Sequence, residues 1–149
     1  STAPADRLDF PLCSAGGLYR PYAITFNTTD ISRNVSVASS SQLTVAESGF
    51  YNVDVTLQVT SSNLLSSTVY AWLRKNGTDV ANSRMDFTIK ANGDTKVFGT
   101  SYQISLSASD YVQIMWAADT TSMTLDAKTA TGFAPAAPSA RVAINQTQL

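Results

Sequence analysis

The sequence predicts an all-β fold, a sandwich or jelly roll of about ten strands. Three observations predict it. Along Gly49 to Ser62, Tyr51, Val53, Val55, Leu57 and Val59 alternate with Asn52, Asp54, Thr56, Gln58 and Thr60, the period of a strand with one face on a core. Ser and Thr make up about a quarter of the chain and charged residues 14%, a balance that favours strands and polar turns over helices. Apolar alternating runs recur at spacings of about 8 to 15 residues, with no alternation of strands and helices that would signal a parallel sheet. At 149 residues the chain is long enough for one independent core, and one domain is expected.

The elements follow in order. Residues 1–17 mix Pro4, Pro11, Gly16 and Gly17 with Ala and Ser and show no sustained period, which reads as an extended arm ahead of a domain over 18–149. A first strand is expected over Leu18 to Asn27, with Tyr22, Ile24 and Phe26 on one face and Pro21 marking an edge or a strand start. Short extended pieces follow at Ile31 to Val37 and Gln42 to Ala46, separated by Ser39, Ser40 and Ser41. After the long strand at Gly49 comes another over Thr68 to Lys75. Asn76-Gly77 then signals a type I′ turn, because both central residues of that turn need positive φ, and it predicts a hairpin into Asp79 to Met85. Asp86 to Lys90 is a further strand. Lys96 to Leu106 is a long one, with Phe98, Thr100, Tyr102, Ile104 and Leu106 on one face. A tight turn at Ser107 to Asp110 leads to Tyr111 to Ala117, where Val112, Ile114 and Trp116 alternate with Tyr111, Gln113 and Met115. Met123 to Ala127 and Ala140 to Asn145 complete the set, the last preceded by Pro135 and Pro138.

Charge and hydropathy narrow the partners. A net charge of −1 and a pI near 5.1 give no basic stripe for a phosphate backbone, so nucleic acid is not expected. No apolar run approaches the roughly 20 residues that span a bilayer, and STAPADRLDF lacks the basic-then-apolar layout of a leader. Ser1 is what removal of an initiator Met would leave, and the expectation is a complete small protein made in the cytosol.

Catalytic inventory is sparse. The chain has no His, one Glu and one Cys. Cys13 cannot close an intrachain disulfide alone, and zinc sites draw on His and Cys. Loop carboxylates Asp79, Asp94 or Asp119 could hold calcium, but isolated Asp in β-turns usually caps the turn, so no metal and no cofactor is expected. A serine nucleophile would need Lys as its base, and Lys75, Lys90, Lys96 and Lys128 carry no signature around them. Neither Asp86 nor Asp126 is singled out as a glycosidase partner of Asp54. The chain is therefore not expected to be an enzyme. Trp72 beside Asn76 and Asp79 could stack a sugar and fix its hydroxyls; Trp116 beside Asp119 is the other pairing, and for either Trp burial in the core is the competing explanation.

Several of these residues resemble a known family. Gly49-Phe50-Tyr51 opening a long strand, Trp72-Leu73-Arg74-Lys75-Asn76-Gly77, and Leu106 followed by Asp110-Tyr111-Val112-Gln113-Ile114 resemble the landmarks of the tumour-necrosis-factor and complement-globular-head superfamily. The layout covers residues 18–149 and departs from the pattern at Ser109, where Gly usually precedes Asp110, and in the last strand, which lacks a closing aromatic-rich segment. The stretch from Pro138 to Ile144 is similar to versions found on bacteriophage particles. The resemblance implies a ten-stranded, homotrimeric jelly roll with the strands of Gly49 to Ser62, Lys96 to Leu106 and Ala140 to Asn145 near the threefold axis and Tyr22, Phe50 and Tyr102 at the interface. Bulky groups on both faces of Thr68 to Lys75 suit that, since a sheet without a polar face must be covered by loops or another subunit.

Two function classes follow. In the first, the chain is a capsid decoration or cement protein on the virion surface, made in the host cytoplasm, with the major capsid protein as partner and Leu8, Phe10 and Leu12 of the arm against the shell. In the second, it is the receptor- or glycan-binding head of a phage tail or head fibre, using Trp72, Asn76 and Asp79. The absence of a shaft, of coiled-coil heptads and of collagen-like repeats favours the first.

Overall fold

A computed structural model describes residues 2–5, 21–26, 34–62, 64–90, 92–120 and 123–148. Its strands are β1 (Thr2–Ala5), β2 (Tyr22–Ala23), β3 (Val35–Ala38), β4 (Gln42–Val45), β5 (Gly49–Ser61), β6 (Ser67–Lys75), β7 (Thr78–Asp79), β8 (Met85–Ile89), β9 (Thr95–Leu106), β10 (Tyr111–Ala118), β11 (Met123–Leu125) and β12 (Ala140–Gln148). No helix occurs among the described residues, and accordingly none there is long and apolar enough to cross a membrane.

All strand pairings are antiparallel and form two sheets. The first runs β1-β12-β5, with β9 on the other edge of β5 and β11 continuing the β12 side. The second runs β3-β4-β10-β6, with β2 continuing the β4 side of β10 and β7 and β8 sharing the far edge of β6. The inward faces build one core, from Tyr51, Val53, Val55, Leu57 and Val59 of β5 to Leu73 of β6 and Val112, Ile114 and Trp116 of β10. The molecule is thus a β-sandwich whose long strands have the alternation read from the sequence. Phe87 of β8 stacks on Phe98 of β9 with ring centroids 4.6 Å apart, joining the two sheets along one side.

Three local features depart from expectation. Thr2–Ala5, inside the segment read as an arm, is a strand paired to β12 with Thr2 opposite Ala143 and Ala5 opposite Ala140. The hairpin strand expected over Asp79 to Met85 stops at Asp79, and Val80 to Arg84 form a loop. The Leu73 amide donates to the Ser83 hydroxyl at 3.1 Å, and that hydroxyl donates to the Val80 carbonyl at 2.7 Å. A buried side chain thereby replaces a ladder bond, and Asn82 turns the chain at φ 63. Around Ser39 and Ser40, with φ 50 and 63, the chain reverses after β3, which lies at Val35–Ala38 and so begins later than the extended piece read from Ile31; residues 27–33 lie outside the described residues.

Gly49 owes its place to the other chain end. Between Gln146 and Gln148 the β5–β12 ladder slips by a residue, leaving Thr147 as a bulge. A Cβ on Gly49 would meet both the Gln148 carbonyl oxygen and the Gln146 side-chain amide at 2.5 Å.

Candidate functional site

The outer faces of the sheets differ. On the first sheet β5 presents Asp54 and Thr56, β9 presents Ser101 and Gln103, and β12 presents Arg141 and Asn145, all exposed, with Phe50 and Val97 as large apolar groups 50% and 61% exposed. On the second sheet β6 carries Tyr70, Trp72 and Arg74 outward, each half-buried, because β6 alternates with period 2 and gives Val69, Ala71 and Leu73 to the core.

A depression forms beside Tyr70 and Trp72. In register, β10 places Ala117 opposite Tyr70 and Met115 opposite Trp72, so a methyl group floors the space between the two aromatic rings. The β6–β7 turn puts Asp79 opposite Arg74. There the Trp72 indole Nε1–H donates to Asp79 Oδ1 at 2.9 Å and Arg74 Nε–H donates to the same oxygen at 2.8 Å. Those two donors, the indole first, hold the Asp79 carboxyl below the usual carboxylate range. The loop that replaces the expected strand supplies Val80, Asn82 and Arg84 as the far wall. Arg84 lies 5.4 Å from the Tyr70 ring centroid and pairs with Asp86 at 3.1 Å.

Of the residues read as a sugar site, Trp72 and Asp79 come together and Asn76 does not join them. Its side chain fastens two turns instead: its amide donates to Asp110 Oδ1 at 2.9 Å and its oxygen accepts from the Tyr111 amide at 3.0 Å. Sequence reasoning misses Tyr70, Asn82 and Arg84. The Tyr70-x-Trp72-x-Arg74 spacing on one strand face is the available signal, whereas the loop residues join through tertiary folding. Trp116, the other Trp considered for a sugar, is wholly buried in the core.

The interface candidates occupy different places. Phe50 stands on the outer face of the first sheet; Tyr102 of β9 is half-buried against the core, where burial raises its phenol above the ordinary value; Tyr22 of β2 packs against the core from the second sheet. Leu8, Phe10, Leu12 and Cys13 lie outside the described residues.

Several of the carboxylates and lysines considered for chemistry are engaged by neighbouring protein groups. Asp54 accepts from the Asn52 amide, Asp86 pairs with Arg84, and Asp126 is held low by Lys128 and Thr60. Lys75 Nζ reaches the Ser105 carbonyl and Asp110, Lys96 Nζ reaches the Thr88 carbonyl, and Lys128 pairs with Asp126. Among the described residues no three of His, Cys, Asp and Glu are grouped to hold a metal ion. Asp119 accepts from the Thr68 amide at 3.0 Å and its own amide donates to the Thr68 carbonyl at 3.1 Å, bonds that extend the β10–β6 pairing past Ala118 rather than cap a turn. No protein-family model matches the sequence, and no curated protein matches it.

Proposed function

We propose that this chain is a non-enzymatic virion protein, a homotrimeric jelly roll of the tumour-necrosis-factor type that decorates and stabilises a bacteriophage capsid. The observation that carries the fold part is the pairing order. β9 returns beside β5 after three strands in the other sheet, β10 inserts between β4 and β6, and β12 returns to the opposite edge of β5. Long strands that alternate between sheets and pair with sequence-distant partners support the jelly-roll reading, since a double-sheet Greek key is built from such crossings. Trimerisation through the outer face of β5, β9 and β12, and seating on a capsid through Leu8, Phe10 and Leu12, rest on the family resemblance of the landmark residues. Exposed Phe50 and Val97 on that face are groups an interface would cover.

Light scattering at micromolar concentration tests the assembly: a trimer mass is expected, and a monomer overturns it. Purified protein added to undecorated particles tests the role. Full occupancy by the intact chain and loss of it on changing Leu8, Phe10 and Leu12 together to Ser is expected; equal occupancy by both overturns the assignment of the arm. A second reading, the receptor- or glycan-binding head, is favoured by the Trp72–Asp79 depression. Binding to host cells with none to the capsid would put it first.

A further inference from the structure

We propose that the depression on the outer face of the second sheet binds the pyranose ring of a neutral saccharide, with Trp72 as the stacking surface and Asp79, Asn82 and Arg84 as hydroxyl partners. The inference deepens the glycan-binding reading and rests on it. The depression has a volume of about 410 Å3, within the roughly 300–1,000 Å3 of small-molecule sites.

Charge selects the ligand class. Arg74 faces Asp79 and Arg84 faces Asp86, so each cation beside the depression is compensated where it stands. An ionic ligand would have to displace one of these pairs. A polyhydroxylated neutral ligand would not, and the hydrogen-bonding capacity left over suits it. The indole and guanidinium donors to Asp79 converge on Oδ1, which leaves Oδ2 as an acceptor. Arg84 has N–H groups beyond the Nε that meets Asp86, and the Asn82 amide offers a donor and an acceptor at once. Hydroxyls of a sugar both donate and accept, and its C–H face is apolar.

The aromatic rings are not equivalent. Tyr70 is already covered by the Arg84 guanidinium, so Trp72 is the platform. Its ring is held by Asp79, and the opposing wall is pinned by the buried Ser83 hydroxyl, so the site needs little ordering when a ligand enters. The depression also lies on the opposite sheet from the face proposed for trimerisation and would remain open in either assembly state.

Saturation-transfer NMR with methyl β-glucoside, methyl β-galactoside, methyl α-mannoside and N-acetylglucosamine tests this on the intact protein. At least one is expected to bind at about 1 mM and to shield Trp72 from acrylamide quenching while the fluorescence of buried Trp116 stays constant. Trp72→Ala is expected to weaken binding at least tenfold. Asn82→Gly keeps the positive φ that Gly accepts freely, guards against loss of folding, and is expected to weaken binding severalfold. Absence of transfer to all four sugars at about tenfold that concentration overturns the proposal, as does undiminished binding by Trp72→Ala or binding of glucuronate alone. Host-cell binding that survives Trp72→Ala would leave the receptor-binding head standing and sink the saccharide site.

Discussion

Ile114 and Gln113 are neighbours on β10 that face opposite ways, and one carboxylate placed at each separates the two faces of the second sheet. Ile114 is 1% exposed and packs in the core opposite Leu73. Ile114→Asp removes apolar burial worth about 1.5–3 kcal/mol and puts a carboxyl among apolar side chains. That carboxyl must take up a proton: at pH 7, about three pH units above the ordinary carboxylate value, neutralisation costs about 4 kcal/mol. The combined penalty of about 6 kcal/mol falls within the whole stability of a typical domain, about 5–15 kcal/mol. Gln113→Glu adds the same charge opposite Arg74 and keeps an oxygen that can accept from the Ser41 hydroxyl, which now receives the Gln113 amide at 2.9 Å. It is expected to change stability by less than about 1 kcal/mol. Urea denaturation followed by circular dichroism reads both. The sign with pH is also fixed: the carboxyl introduced by Ile114→Asp binds its proton more tightly folded than unfolded, so the variant regains stability as pH falls from about 7 to about 4.5. Equal damage from the two changes, or an Ile114→Asp penalty that does not shrink on acidification, refutes the assigned facing of β10.

Gly49→Ala drives a Cβ onto the Gln148 carbonyl and should cost about 1–3 kcal/mol by thermal melting; an unchanged midpoint would refute the close crossing of β5 and β12. Ser109 adopts φ 73, and Ser109→Gly should relieve about 1–2 kcal/mol of left-handed strain, partly offset by the freer unfolded chain; a net loss of stability would show that the Ser side chain is needed. The carboxyls of Asp79, Asp110 and Asp126 are all held below their ordinary value: by Trp72 and then Arg74, by the Ser107 amide and then Asn76, and by Lys128. Groups depressed on folding contribute fully above the unfolded value near 4 and lose that contribution as pH falls through the folded one. The urea midpoint should therefore drop between about pH 5 and about pH 3, and less in Asp110→Ala, which has one such group fewer; identical acid sensitivity would remove Asp110 from the account.

Local alternation is what the sequence discloses. β5, β6, β9 and β10 each place one residue in two toward the core, so Tyr51 to Val59 and Val69 to Leu73 are readable without knowing their neighbours. The loop from Val80 to Arg84 is not, because a serine hydroxyl stands in for a backbone partner and nothing in Asp-Val-Ala-Asn-Ser-Arg announces that substitution. β1 is hidden for a different reason: Thr-Ala-Pro-Ala has no apolar period, and its pairing is dictated by the exposed edge of β12. Half of the proposed sugar site is legible, since Trp72 and Asp79 are close in sequence. Where the Asn76 side chain goes is not legible, because its partners, Asp110 and Tyr111, arrive from 34 and 35 positions further on.

The junction of β1, β12 and β5 also sets the timetable of biosynthesis. Thr2 has its partner in Ala143, and the long edge of β5 from Phe50 to Leu57 has its neighbour in residues 140–148, synthesised long after both. Until those residues emerge, the nascent chain carries two open strand edges that can zip onto other copies. Folding of the first sheet is thus dominated by non-local pairing, with rates in the slow range of β-sandwiches, and chains cut short before residue 140 should be recovered as aggregates or degradation products rather than as smaller folded domains.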